Sequence, residues 1–137
     1  MKLVVDANIL FAAFIKDSYT RRLLLFSIEE LFTPEFIYDE IKKHIVELKK
    51  KTGLSENQID ELFSLLIENA NIKIVKQSAL EETLEDAGKI SPDPDDIHYF
   101  ALAFKLSCSI WSNDKKLKEQ NKVRIFTTEE LSRNPSF

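Results

Sequence analysis

Four acidic residues occupy positions from which their side chains could meet at one edge of a sheet. Asp6 follows the apolar run KLVV, Glu40 lies on a long predicted helix, Asp96 lies near a helix start, and Asp114 follows the run SIWS. Carboxylates that converge without an equal number of cations repel one another, and a hard divalent cation bound through oxygen relieves that repulsion. The pattern therefore predicts a metal-dependent hydrolase site.

The elements that would position these residues alternate between strand and helix. Apolar runs predict strands at 2–5, 31–32, 72–75, 109–112 and 123–126, and amphipathic periodicity predicts helices after residue 8 and at 18–28, 33–51, 55–69, 79–87 and 95–107. Strands separated by helices indicate an α/β fold with a mainly parallel sheet covered on both faces. Ligands of such sheets gather beyond the carboxyl ends of the strands, where Asp6 and Asp114 both fall.

Capping residues set the predicted helix boundaries. Asn8 can cap the first helix, and Thr33 followed by Pro34 is typical of a helix start. Ser55 with a glutamine three residues later predicts a capping box, and Gly88 is expected to close the helix that begins near residue 79.

Asp6 and Glu40 each have a purely structural alternative. Asp6 could cap the first helix, but Asn8 is available for that task, which favours a functional Asp6. Glu40 lies at the border of the apolar face of its helix, from which it can reach a cleft, whereas Asp39 lies nearly opposite that face. The alternative for Glu40 is a surface ion pair with a basic residue three or four positions later.

Asp96 and Asp114 have structural alternatives as well. If Pro94 is the first helical residue, Asp93 is its cap and Asp96 lies in the first turn, so that helix-dipole interaction would account for it. Asp96 nevertheless projects toward the apolar side of its helix, where a carboxylate needs a cation or hydrogen-bond donors. Asp114 could cap a short helix, and Ser112 could hold a water or a neighbouring carboxylate.

Composition limits the classes of function. At 137 residues and 44% apolar, the chain suffices for a single domain, expected over 1–137. The net charge of −4 argues against a broad basic nucleic-acid-binding face, although lysine clusters at 49–51 and 115–118 can meet phosphates.

No apolar run is long enough to span a membrane, and residues 1–15 lack the pattern of a signal peptide, so a cytoplasmic location is expected. Cys108, the sole cysteine, excludes an internal disulfide and a thiolate-rich zinc site.

The four acids and their spacing resemble the PIN-domain family, especially its small VapC-type toxins. The resemblance lies in KLVVDANIL, PEFIYDEI, DPDDIHYFALA and SIWSNDKKL and covers essentially the whole chain. It implies a three-layer α/β/α sandwich in which Asp6, Glu40, Asp96 and Asp114 form a catalytic quartet that binds Mg²⁺ or Mn²⁺. Asn8 and Ser112 match the family's polar supporting positions.

The same resemblance implies an activity and partners. The activity is hydrolysis of phosphodiester bonds in single-stranded or structured RNA, as an endoribonuclease and as the toxin of a toxin–antitoxin pair. An antitoxin protein and a second copy of the chain are the partners that it suggests.

Two alternatives compete with this hypothesis. One is a catalytically silent PIN-like module that binds a protein partner. The other is a phosphotransferase similar to haloacid-dehalogenase-like phosphatases, with Asp6 as the nucleophile; those enzymes have a second acid two residues later, where this chain has Asn8.

Overall fold

A computed structural model describes residues 1–15 and 18–134 of the chain. Within these residues the chain forms five β-strands and eight α-helices. The predicted domain 1–137 also includes residues 16, 17 and 135–137, which lie outside the described ones. The elements are β1 (Lys2–Val5), α1 (Ala7–Ile15), α2 (Ser18–Phe26), β2 (Glu30–Pro34), α3 (Ile37–Lys43), α4 (Ile45–Thr52), α5 (Glu56–Asn69), β3 (Ile72–Val75), α6 (Glu81–Ile90), α7 (Ile97–Leu106), β4 (Ser109–Trp111), β5 (Ile125–Phe126) and α8 (Thr128–Ser132).

The five strands form one sheet in the order β3-β2-β1-β4-β5, and every neighbouring pair is parallel. β1 lies at the centre, where Val5 pairs in register with Trp111 of β4. The chain therefore leaves both strands at the same edge of the sheet. This register places Asp6 beside the segment that follows β4, and the Asp6 N–H donates to the Trp111 carbonyl at 3.2 Å.

Helices cover both faces of the sheet. The strand order reverses direction after β3, so crossovers of the usual right-handed kind are expected to place the helices between β1 and β3 on one face and those between β3 and β4 on the other. α7 packs across β1, β2 and β4, while α1 contacts α2, α3 and α4. Leu3, Val4 and Val5 are fully buried between these layers. The predicted α/β/α sandwich is confirmed, with an all-parallel sheet.

The prediction of a helix starting at Thr33 is wrong. Thr33 and Pro34 belong to β2, where Thr33 pairs with Ile74 and its hydroxyl donates to the Val5 carbonyl at 2.9 Å. Burial of this hydroxyl and pairing with two neighbouring strands outweigh the local capping signal. The helix starts at Ile37 instead, and His44 separates it into α3 and α4.

Other helix boundaries differ in smaller ways. Ser55 and Gln58 form the predicted capping box of α5, and Asp93 caps the 3-10 turn Pro94–Asp96 that precedes α7. Gly88, in contrast, lies inside α6, which continues to Ile90. α8 was not predicted from the sequence, although its capping box, Thr127 with Glu130, follows the same pattern. Among the described residues, no helix is both long and apolar enough to cross a membrane.

Candidate active site

Asp6 is the most buried of the four predicted acids, with 3% of its surface exposed. Its carboxylate accepts the Ile9 N–H at 3.0 Å and a hydrogen bond from the Ser112 hydroxyl. Asp6 is thus the residue that caps α1, and the prediction that Asn8 is the cap is wrong: Asn8 is exposed on the first turn of α1. Burial raises the pKa of Asp6 to about 6, against the lowering effect of these hydrogen bonds.

Ser112 connects Asp6 to Asp114. Its fully buried hydroxyl also accepts the Asp114 N–H at 3.0 Å, so one side chain contacts both segments that leave the sheet. The Asp114 carboxylate accepts the Lys116 N–H at 3.0 Å and caps the 3-10 turn Lys115–Glu119. The capping alternative for Asp114 therefore occurs in the structure, and the same residue also lines an open cleft beside Asp6.

Glu40 points inward from the first turns of α3, with 7% of its surface exposed. The His44 ring lies beside it, with Nδ1 3.8 Å from Glu40 Oε2 and 2.9 Å from the Glu40 carbonyl oxygen. Burial raises the pKa of Glu40, while His44 and Lys43 lower it. The surface-pair alternative is thus only partly realised, because the carboxylate is buried.

Asp96 lies between the 3-10 turn and α7. Within the described part of the chain, its side chain makes no capping hydrogen bond to α7. Burial, followed by the negative charges of Asp6, Asp93, Asp114 and Glu40, raises its pKa to about 7. Asp96 is therefore a carboxylate that the fold surrounds with like charge.

The four acids, here called the acidic cluster (Asp6, Glu40, Asp96 and Asp114), line one open cleft of about 170 Å³. Four separate segments of the chain contribute them, and Asn8 lines the same cleft. Two exposed ion pairs lie at the rim, Lys43 with Asp95 at 3.4 Å and Lys116 with Asp93 at 3.7 Å. The fold thus brings all four predicted acids together at the carboxyl edge of the sheet.

Tyr99 is a cleft residue that the sequence analysis missed. It lies on α7, 1% exposed, and lines the cleft with the acidic cluster. Burial raises the pKa of its phenol well above 10, and the charges of Glu40, Asp6 and Asp96 raise it further, so the hydroxyl is protonated. The available signal was the tyrosine hydroxyl in the sequence IHYFALAF, which is apolar apart from Tyr99 and His98.

The donor atoms of the acidic cluster suit a hard divalent cation such as Mg²⁺ or Mn²⁺, which prefers oxygen ligands. Across residues 1–15 and 18–134, no group of three or more His, Cys, Asp or Glu side chains is arranged to hold a metal ion as it stands. The carboxylates would have to draw closer together around a cation. Burial and mutual repulsion, the causes that raise the pKa of Asp96, are the costs that a cation would offset.

The sequence model of the PIN domain family matches residues 4–134, and the chain belongs to this family. PIN domains are usually nucleases, and many take part in toxin–antitoxin pairs. None of the curated proteins is similar enough to the chain to count as a match.

Proposed function

We propose that this protein is a divalent-metal-dependent endoribonuclease of the VapC-toxin type. The observation that carries the proposal is the convergence of Asp6, Glu40, Asp96 and Asp114 on one cleft at the carboxyl edge of the sheet. Their surroundings oppose ionisation at Asp6 and Asp96. An arrangement that raises carboxylate pKa values in a cleft is typical of functional sites rather than of stabilising ones.

The chain's own residues have distinct tasks in this proposal. Asp6, Glu40, Asp96 and Asp114 would hold one or two cations, Mg²⁺ or Mn²⁺. Such a cation, when bound, lowers the pKa of an attacking water and offsets negative charge on the scissile phosphodiester. Ser112 orients Asp6 through its hydrogen bond, and Asn8 lies at the cleft wall, where its amide can contact the substrate.

The rim of the cleft suits a polyanion. Exposed ion pairs are worth little in water, so Lys43 and Lys116 can exchange Asp95 and Asp93 for phosphate oxygens at small cost.

A second groove of about 300 Å³ adjoins the cleft and shares Asn8 and His44 with it. This groove supports single-stranded RNA as substrate, because aromatic and apolar walls with a nearby cation accept an unpaired base. Its other lining residues are Phe11, Ala12, Ile15, Glu47, Leu48 and Lys51.

A protein partner belongs to the same proposal. Tyr19 and Phe26 lie seven residues apart on one face of α2, and both are exposed, Phe26 by 77%. Ile28, just after α2, is 80% exposed. This apolar surface supports an antitoxin or a second copy of the chain as partner, and it favours an interaction module without activity as the second candidate function.

The test is cleavage of a panel of single-stranded and structured RNAs by the purified protein in Mn²⁺. We expect cleavage that EDTA abolishes and that Asp6→Asn lowers by about 100-fold or more, since even residues that only support metal ligands typically cost 10- to 100-fold. Asp60→Asn is the matched control, because Asp60 is exposed on α5, away from the cleft.

An Asp6→Asn protein as active as its parent would contradict the assignment of the site. Absence of cleavage from the parent, together with absence of Mn²⁺ binding by calorimetry, would favour the interaction module instead.

A further inference from the structure

Tyr99 has a hydroxyl that the fold itself does not explain. Its side chain is 1% exposed, and among the described residues its oxygen has no hydrogen-bond partner. The large majority of buried polar side-chain atoms are hydrogen-bonded, because an unpaired one forfeits its hydration without compensation. Phenylalanine would fill the same space without that cost. The hydroxyl is therefore best explained by a partner that is present only in another state of the protein.

The surroundings of the hydroxyl indicate what this partner is. The Ala7 N–H faces the Tyr99 oxygen and favours its ionised form, but it lies outside hydrogen-bonding geometry. As a donor, this N–H could not accept the phenol proton in any case. Among the described residues, the charges that raise the pKa of Tyr99 belong to the carboxylates of Glu40, Asp6 and Asp96, all of which are acceptors when ionised.

We propose that Tyr99 is a positioning residue whose hydroxyl donates a hydrogen bond to a carboxylate of the acidic cluster when a divalent cation draws that cluster together. The role rests on the proposed cation site, whose carboxylates are not yet arranged to hold a metal ion. Carboxylates that bind metals are commonly held in orientation by such donors. Tyr99 is suited to the task because it lines the cleft from α7, one turn after Asp96.

The proposal predicts opposite effects on stability and on affinity. In the cation-free protein the hydroxyl is buried and has no hydrogen-bond partner within residues 1–15 and 18–134, so removing it should leave the melting temperature unchanged or raise it. In the loaded protein the hydroxyl is paired, so removing it should weaken cation binding. A merely structural tyrosine would behave differently, because its loss would lower the melting temperature without changing affinity.

The experiment compares Tyr99→Phe with the parent and with Tyr38→Phe, a control on α3 whose side chain is exposed. Mn²⁺ affinity is measured by calorimetry, and the melting temperature is measured in EDTA and in Mn²⁺. We expect Tyr99→Phe to weaken Mn²⁺ binding about tenfold. We also expect it to melt in EDTA at or above the parent's temperature and to gain less from Mn²⁺. Tyr38→Phe should match the parent throughout.

Three outcomes would overturn the role of Tyr99. The first is Mn²⁺ affinity of Tyr99→Phe within about twofold of a parent that does bind Mn²⁺, which leaves the proposed nuclease site intact. The second is a lower melting temperature in EDTA with unchanged affinity, which would assign Tyr99 to the core. The third is a parent that binds no Mn²⁺, which would remove the cation site and the role of Tyr99 with it.

Discussion

The carboxylates of Asp6 and Glu130 both take part in helix capping, yet their surroundings shift their pKa values in opposite directions. Glu130 accepts the Thr127 N–H at 3.0 Å in the capping box of α8 and pairs with Lys118 at 2.7 Å. These contacts lower its pKa to about 2. Asp6 caps α1, but burial and the neighbouring charge of Asp114 raise its pKa to about 6.

The difference separates carboxylates whose ionised form stabilises the fold from those whose ionised form the folded protein disfavours. Glu130 has a cation and donors, so its ionised form is favoured in the folded protein. Asp6 and Asp96 lie with other acids in a cleft, and both are partly deprived of water. A domain gains no stability from this second arrangement, which is why we assign the cleft, and not the end of α8, to function.

The largest effect is expected when one acid in each region is neutralised. We expect Asp96→Asn to lower RNA cleavage by about 100-fold or more, since a ligand should cost at least as much as a supporting residue. The same change removes like-charge repulsion, so it should raise the melting temperature in EDTA by roughly 2–5 °C.

Glu130→Gln is the matched control for this experiment. It should leave cleavage unchanged and lower the melting temperature slightly, because the lost pair with Lys118 is exposed and weak. Thermal unfolding and the RNA assay measure both effects. Destabilisation by Asp96→Asn would show that Asp96 stabilises the fold and would end the contrast between the two regions.

An effect of intermediate size is expected for Ser112→Ala. Ser112 holds Asp6 and the Asp114 backbone together, and its hydrogen bond lowers the pKa of Asp6. Its loss should raise that pKa further and lower cleavage about tenfold at neutral pH. The variant should recover part of this loss at higher pH, where Asp6 ionises. Ser64→Ala, an exposed change on α5, is the control; a Ser112→Ala pH profile identical to the parent's would contradict the prediction.

The smallest effect is a difference in how the two regions respond to pH. The folded pKa values of Asp6 and Asp96, about 6 and about 7, lie above the ordinary 3.8. The folded protein therefore binds more protons than the unfolded chain between about pH 4 and 7, so its stability should fall as pH rises through that window. Glu130, whose pKa is lowered to about 2 from 4.5, contributes stability that is lost as pH falls through that lower range.

Melting temperatures measured in EDTA from about pH 5 to 8 would test this sign, with an expected decline of a few degrees that Asp96→Asn reduces. A melting temperature that rises over the same range would show that folding does not disfavour the ionised forms of these carboxylates.

Much of the site could be predicted because strand ends are visible in the sequence. Asp6 and Asp114 follow apolar runs that are too short and too rich in β-formers to be helices, and parallel strands end at one edge. Glu40 was distinguished from Asp39 by helical periodicity alone, and Glu40 is the buried one. Their roles as metal ligands stay predictions.

Other features depended on partners distant in the chain. Thr33 and Pro34 carry a strong local helix-start signal, but Thr33 is in β2 because its hydroxyl meets the Val5 carbonyl, 28 residues away. Asp6 rather than Asn8 caps α1, because the Asp6 carboxylate turns toward Ile9 and is fixed by Ser112.

The α/β class, the parallel sheet and the four acids that could meet were predictable from the sequence, since these follow from periodicity and from where apolar runs end. The environment of those acids, in contrast, depends on the tertiary structure. Burial, like charge and the unpaired hydroxyl of Tyr99 depend on side chains from separate segments packing around one cleft. Desolvation and Coulomb repulsion depend on distances in space, which the separation of residues along the chain does not predict.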